Sequence, residues 1–356
     1  MAVSLTLRRL PLLAAGGVSL IAGMIAGEGR LGWPVGSGDL MAVHGPLMIC
    51  GFFGTVIGLE RAVALGRLWG YMAPAATALG GLALAAGFPQ GGALALTLGS
   101  LVFVAMSLAV LARQREVFTA VLGLGGACWL IGNLVWLAGA SPPETVPLWA
   151  GFLVLTIAGE RLELSRFLPP WRWRTPTLLP ILALLLAGCG AAAMGLGTAW
   201  MLFGLGLILL TLWCLRNDVV RRTIRQPGLT RYVAVCLISG YGWAAVSGTL
   251  MLGLGLGEGG PWADAALHSL FVGFVFAMVF GHAPVILPAV LRVAVPYRTY
   301  FYAPLALLHA SLILRLIGDL AEVHAVRQWG GLANAAAIVI FIVTMLVTVL
   351  RAKTAR

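Results

Sequence analysis

Stretches of about twenty apolar residues recur along the whole of this chain, and that recurrence leaves few folds open. A bilayer core is crossed by about 20 residues of helix, and twelve such stretches can be marked, at 10–27, 40–64, 69–88, 92–112, 117–138, 146–164, 177–196, 198–216, 231–254, 264–291, 300–320 and 329–350. Charged residues make up only 10% of the 356, and the mean hydropathy is +0.99. A water-soluble domain carries roughly 25%, so there is too little charge here to wet a surface. Hydrocarbon offers no partner for a backbone amide, so spanning segments of this length are helices. The sequence therefore predicts an all-α integral membrane protein of about twelve transmembrane helices, with residues 1–356 as one polytopic domain. No soluble domain fits, because the longest polar stretch, Arg216 to Arg231, is only a loop. The 47 glycines suit helices that approach closely within a membrane.

A formal charge of +11 could suggest a nucleic-acid partner, but the positions of the basic residues argue against one. They fall at Arg8-Arg9, Arg61/Arg67, Arg113/Arg115, Arg161 to Arg174, Arg216 to Arg231, Arg292/Arg298 and Arg351 to Arg356, that is, at both termini and in every second loop. The intervening loops hold Glu28/Asp39, Glu144, Glu258/Asp264 and Asp319 to Arg327. This is the positive-inside pattern. It predicts a bacterial inner membrane protein with both termini cytoplasmic and with the first apolar stretch retained as a helix. Cys50, Cys128, Cys189, Cys214 and Cys236 all lie inside apolar spans, so no disulfide framework is expected.

Within this pattern runs an internal repeat. Span 2 reads Gly51-Phe52, then Ile57, then Glu60-Arg61; span 6 reads Gly151-Phe152, Ile157 and Glu160-Arg161 at the same spacing. Span 10 keeps part of the frame in Gly273-Phe274 and Gly281-His282. Spans 2, 6 and 10 share a direction and stand four helices apart, as three parallel four-helix units would place them.

The five histidines can be placed one by one. His44 and His268 sit about five residues into spans 2 and 10 from the same side, so they share a depth; His282 and His309 share another, nearer the opposite side. His268 and His282 are 14 residues apart, roughly 21 Å along the helix with a net rotation near 40°. Only His324 falls in a loop. An imidazole in hydrocarbon is a functional candidate by default, and two at one depth on different helices suit bis-histidine ligation of haem b. Copper is the other metal to weigh, because Met41, His44 and Met48 share a helical face and thioethers with imidazole suit copper(I). The bland reading of each histidine is a hydrogen bond to a neighbouring carbonyl.

His44-Gly45-Pro46-Leu47-Met48 resembles the His-Gly-x-x-Met pattern of heme-copper oxidase subunit I. The phrase Leu267-His268-Ser269-Leu270, followed by Gly281-His282, is similar to the NnrS family of twelve-span proteins linked to haem and nitric oxide. The resemblance implies His44 and His268 as a haem pair, with His282 and His309 as a second site. No histidine lies between His44 and His268, so the oxidases' copper ligands are absent and oxygen reduction is not expected.

All twelve Asp and Glu lie in loops or near span ends, which disfavours a carboxylate proton path. Glu60-Arg61 and Glu160-Arg161 read as interfacial charges able to pair between repeats. Arg315 and Asp319, four apart, fit an ion pair, and Arg315 is also a candidate for a haem propionate. Pro284 and Pro288 are expected to kink span 10 beyond His282. The functions left are a haem or metal protein in electron transfer or nitric oxide chemistry, a small-solute transporter or channel with histidines along its path, and a scaffold subunit. The first would need a redox partner or other membrane subunits; membrane lipid is a partner in all three.

Overall fold

The computed structural model describes residues 2–36, 38–254 and 259–354. Glu258 and Arg356, and the side chains of Arg8 and Lys353, lie outside the described residues. Among those described there is no strand. Twelve helices are long and apolar enough to cross a membrane: Arg9–Arg30, Gly38–Leu65, Leu68–Ala85, Pro89–Arg113, Val117–Leu137, Glu144–Ser165, Arg174–Ala193, Ala199–Asn217, Gly228–Gly253, Pro261–Leu291, Thr299–Leu320 and His324–Ala352, numbered here as spans 1 to 12. The largest change from the expected boundaries is at span 12, which begins at His324, so that histidine opens a helix and does not lie in a loop. Span 10 stays helical through Pro284 and Pro288 and stops at Arg292, whose φ of 55° is left-handed. Leu79, Leu108 and Leu346 are exposed on the helices, as side chains facing lipid should be.

The chain divides into two compact units, residues 1–160 with 189–196, and residues 161–188 with 197–356. In the first, spans 3 and 4 meet through small residues: a Cβ on Gly80 would lie 3.0 Å from the Gly92 carbonyl, and one on Gly92 the same distance from the Gly80 carbonyl. Trp129 stacks on Phe152 at 4.5 Å, with Phe103 edge-on to both rings. Beside them Asn133, fully buried, donates to the Leu96 carbonyl and Ser100 Oγ, both at 3.1 Å. Its Oδ1 accepts from Trp149 Nε1 at 3.0 Å and from the Cys50 thiol at 3.3 Å. One amide thus ties spans 2, 4, 5 and 6.

In the second unit, spans 11 and 12 cross at Gly318 and Gly330. A Cβ on Gly318 would lie 2.5 Å from Arg327 Cα, and one on Gly330 2.5 Å from Arg315 N. Phe280 stacks on Phe341 at 3.8 Å, joining spans 10 and 12. Asn334 donates to Ser311 Oγ at 2.6 Å.

The Gly-Phe frame is a contact frame in all three spans. Gly151 faces Cys189 and Gly273 faces Trp243 too closely for a side chain, and a Cβ on Gly51 would stand 3.0 Å from Ser19 Cβ. Spans 2 and 10 share a further feature that the sequence did not announce. Leu47–Phe53 and Ser269–Phe276, each holding a Gly-Phe pair, are π-helical, while span 6 is regular α-helix there.

Candidate functional site

His44 and His268 stand just before these two π-helical segments. Span 2 enters through a 3₁₀ turn, Gly38–Val43, then one helical turn, His44–Pro46, before Leu47–Phe53 widens. Span 10 runs as an α-helix over Pro261–His268 and widens directly after the histidine. A π turn inserts a residue into the helical register and re-aims the side chains around it, which is why such turns gather at functional positions.

Each histidine's partners fix its tautomer, because a carbonyl only accepts while an indole or guanidinium only donates. His44 Nδ1 lies 2.7 Å from the Gly23 carbonyl, so Nδ1 carries the proton and Nε2 the lone pair. Its ring rests on Gly27, where a Cβ would stand 2.9 Å from Cε1. Met48 lies one turn on along the same face, with its sulfur against Gly23. Met41, grouped with them on the sequence, is exposed. His268 Nδ1 meets its own helix's Asp264 carbonyl at 2.9 Å, giving the same tautomer.

The other two spanning histidines sit in different surroundings. His282 Nδ1 donates to the Met278 carbonyl at 2.6 Å, and its Nε2 accepts from Arg161 Nη2 at 2.9 Å. His309 has the reverse tautomer: Trp243 Nε1 donates to its Nδ1 at 3.0 Å, and its Nε2–H donates to Ser239 Oγ at 2.9 Å. Three of the four spanning histidines, His44, His268 and His282, thus hold Nδ1 on a backbone carbonyl, His282 with Arg161 on Nε2 as well, while His309 has the reverse tautomer. Among the described residues no three His, Cys, Asp or Glu side chains gather as a protein-built metal site would need.

Charge collects around His268. Asp264 Oδ2 accepts from Arg315 Nε at 2.9 Å and Nη2 at 2.8 Å, while Oδ1 faces His268 Nδ1 at 3.3 Å and Arg327 Nη2 at 3.4 Å. Asp319, fully buried, pairs with Arg327 Nε at 2.8 Å. Arg315 is therefore bonded to Asp264, and the ion pair expected between Arg315 and Asp319 is replaced by an exchange of partners. The glycine crossing at Gly318 and Gly330 is the cause, since it carries Arg327 alongside Asp319.

The repeated Glu-Arg pairs also part company. Arg61 Nη2 reaches Glu160 at 2.6 Å, a pairing between the two repeats within the first unit. Arg161 belongs to the second unit, buried, with Asp218 at 3.8 Å as well as His282. Asp218 accepts from Tyr241 and from the Val220 amide at 3.0 Å. Asp218, Tyr241 and Asn133 were not singled out on the sequence. The usable signal for Asn133 was scarcity, for the chain has only three asparagines, and two of them, Asn133 and Asn334, fall well inside spans while Asn217 ends one.

Twelve apolar helices with leucines exposed along them define a multi-pass, all-α membrane protein. The chain belongs to the family described as Domain of unknown function (DUF8744), whose model matches residues 9–350. No curated protein matches it.

Proposed function

We propose that this protein binds haem in the bacterial inner membrane, with His44 and His268 supplying imidazole ligands and both termini in the cytoplasm. One observation carries the reading: His44 and His268 each hold Nδ1 on a backbone carbonyl just before a π-helical segment. That is the usual arrangement of a metal-ligating histidine, whose second nitrogen is held by a carbonyl or carboxylate. His268 has both, the Asp264 carbonyl and its carboxylate. The two π-helical segments and the resemblance to the NnrS and oxidase families point the same way. Bound iron would supply one-electron chemistry or capture of a small gas such as nitric oxide. The chain's own residues orient the imidazoles, and Arg315 is the cation nearest His268's carboxylate partner. Orientation follows from the basic residues of alternate loops.

Visible spectra of the detergent-purified protein, oxidised, reduced and in pyridine, test this. A Soret band that shifts on reduction, weakens in His44→Ala and His268→Ala and survives in His309→Gln is expected. Protein that carries neither haem nor stoichiometric copper after expression with added haem would end the reading and favour a small-solute transporter.

A further inference from the structure

Five cysteines are scattered over five spans, and all five are buried in an apolar core. Cys128 on span 5 and Cys189 on span 7 differ, because the fold brings them together inside the first unit. Both sulfurs lie beside Gly151 of span 6. The Cys189 thiol also donates to the Pro147 carbonyl at 3.3 Å. The place where they meet is set by Gly151 of the repeated Gly-Phe frame. A Cβ there would lie 2.6 Å from Cys189 Sγ and 3.5 Å from Cys128 Sγ, so the two sulfurs flank the position that a side chain on span 6 would otherwise occupy. Glycine at 151 is what allows thiols from two other helices to approach each other across the face of a third.

We propose that Cys128 and Cys189 are a redox-active dithiol, an oxidation site for small uncharged hydroperoxides of which hydrogen peroxide is the simplest. The surroundings select the oxidant. Both cysteines are buried, at 4% and 2% exposure, with Trp129 and Leu185 of the neighbouring core close by in sequence, so a charged or bulky reagent is excluded. The product suits the site as well, since a disulfide is neutral, whereas an isolated thiolate in hydrocarbon is costly. One thiol gives up its proton and attacks a peroxide oxygen. An S–O bond forms, the O–O bond breaks, and the departing hydroxide takes the proton to become water. The second thiol then attacks the sulfenic sulfur, the S–S bond forms, and the S–O bond breaks with loss of a second water. Two thiols and one peroxide become one disulfide and two waters, with the sulfurs oxidised and the peroxide reduced. The outcome is a covalent tie from span 5 to span 7 that does not depend on whether the protein binds haem.

The test uses the full-length protein in mild detergent, treated with hydrogen peroxide, denatured in the presence of a thiol-blocking maleimide and mapped by peptide mass spectrometry. The expected result is a reductant-sensitive link between the Cys128 and Cys189 peptides, with Cys50, Cys214 and Cys236 still blocked by maleimide. The same link should form in a variant carrying Cys50→Ser, Cys214→Ser and Cys236→Ser, which leaves only the pair. Maleimide on all five cysteines after peroxide, a link between any other two, or Cys128 and Cys189 oxidised singly without a link would each overturn the proposal. Gly151→Ala, if it folds, should slow the linkage several-fold; an unchanged rate would remove Gly151 from the account while leaving the dithiol to the mapping result.

Discussion

Replacing Asp264 by asparagine keeps the shape of the side chain and removes its charge, which isolates the electrostatic part of the cluster around His268. In the native protein Asp264 is the carboxylate that both arginines share: Oδ2 holds Arg315 by two bonds at 2.9 and 2.8 Å, and Oδ1 holds Arg327 at 3.4 Å. Asp264→Asn leaves two guanidinium groups with only Asp319, which Arg327 already engages at 2.8 Å. Arg315 then has no carboxylate while remaining buried, at 7% exposure. Breaking a buried pair from one side costs about 3–5 kcal/mol, because the surviving charge stays desolvated. That is roughly two to four powers of ten in the folded-to-unfolded ratio. Removing both partners should be far milder, so Asp264→Asn with Arg315→Gln is expected to recover more than half the loss. Unfolding in mixed micelles of increasing denaturing detergent, followed by tryptophan fluorescence, measures both. If Asp264→Asn alone falls within about 1 kcal/mol of wild type, the cluster is effectively solvated and the buried-pair account is wrong.

Three further outcomes follow from the same geometry. Arg61→Gln should cost no more than about 1 kcal/mol, since Arg61 and Glu160 are each about a quarter exposed, and the exchange Arg61→Glu with Glu160→Arg should restore it; a larger loss in the same unfolding assay would place the pair in drier surroundings. Gly273→Ala puts a methyl 2.6 Å from Trp243 Cβ and 2.8 Å from Leu312 Cδ2, and overpacking of that kind costs about 1–3 kcal/mol, whereas Gly17→Ala, with nothing within 4 Å, should be silent by thermal unfolding. Asn133→Leu strands Trp149 Nε1 and removes the donor to Ser100 Oγ, whose own bond to the Thr97 carbonyl remains, and should destabilise by roughly 2–3 kcal/mol; Ser100→Ala in that background should cost less than it does alone, which a double-mutant cycle reads directly.

The histidines show where reading along the chain stops. Position within a span could be counted, since a helix rises uniformly and the apolar stretches are unmistakable, and His44 and His268 do lie near the start of spans 2 and 10. The partner on each ring nitrogen could not be counted. Arg161 and Trp243 lie 121 and 66 residues from the histidines they bond, and nothing local announces them. The Arg315 expectation failed for the same reason: spacing along one helix offered Asp319, but the crossing with span 12 delivered Arg327 to Asp319 and left Arg315 for Asp264. The Glu-Arg repeat stands between these cases. Its recurrence suggested pairing between repeats, and Arg61 with Glu160 does pair, yet the adjacent Arg161 turns to Asp218 and His282.

Sequence alone determined the solvent and the helix count, and the helix ends to within a few residues. Those depend on hydropathy summed over twenty residues, a quantity any single substitution barely moves. It also marked the Gly-Phe frame, because a close contact between helices needs a glycine wherever it occurs. Tertiary structure alone decided which charges cancel, which tautomer each imidazole adopts, where spans 2 and 10 widen into π-helix and which two of five cysteines meet beside Gly151. Each of these is settled by an atom or two arriving from a distant span. In hydrocarbon, where no water can satisfy a polar group, the identity of that arriving atom determines the chemistry of the site.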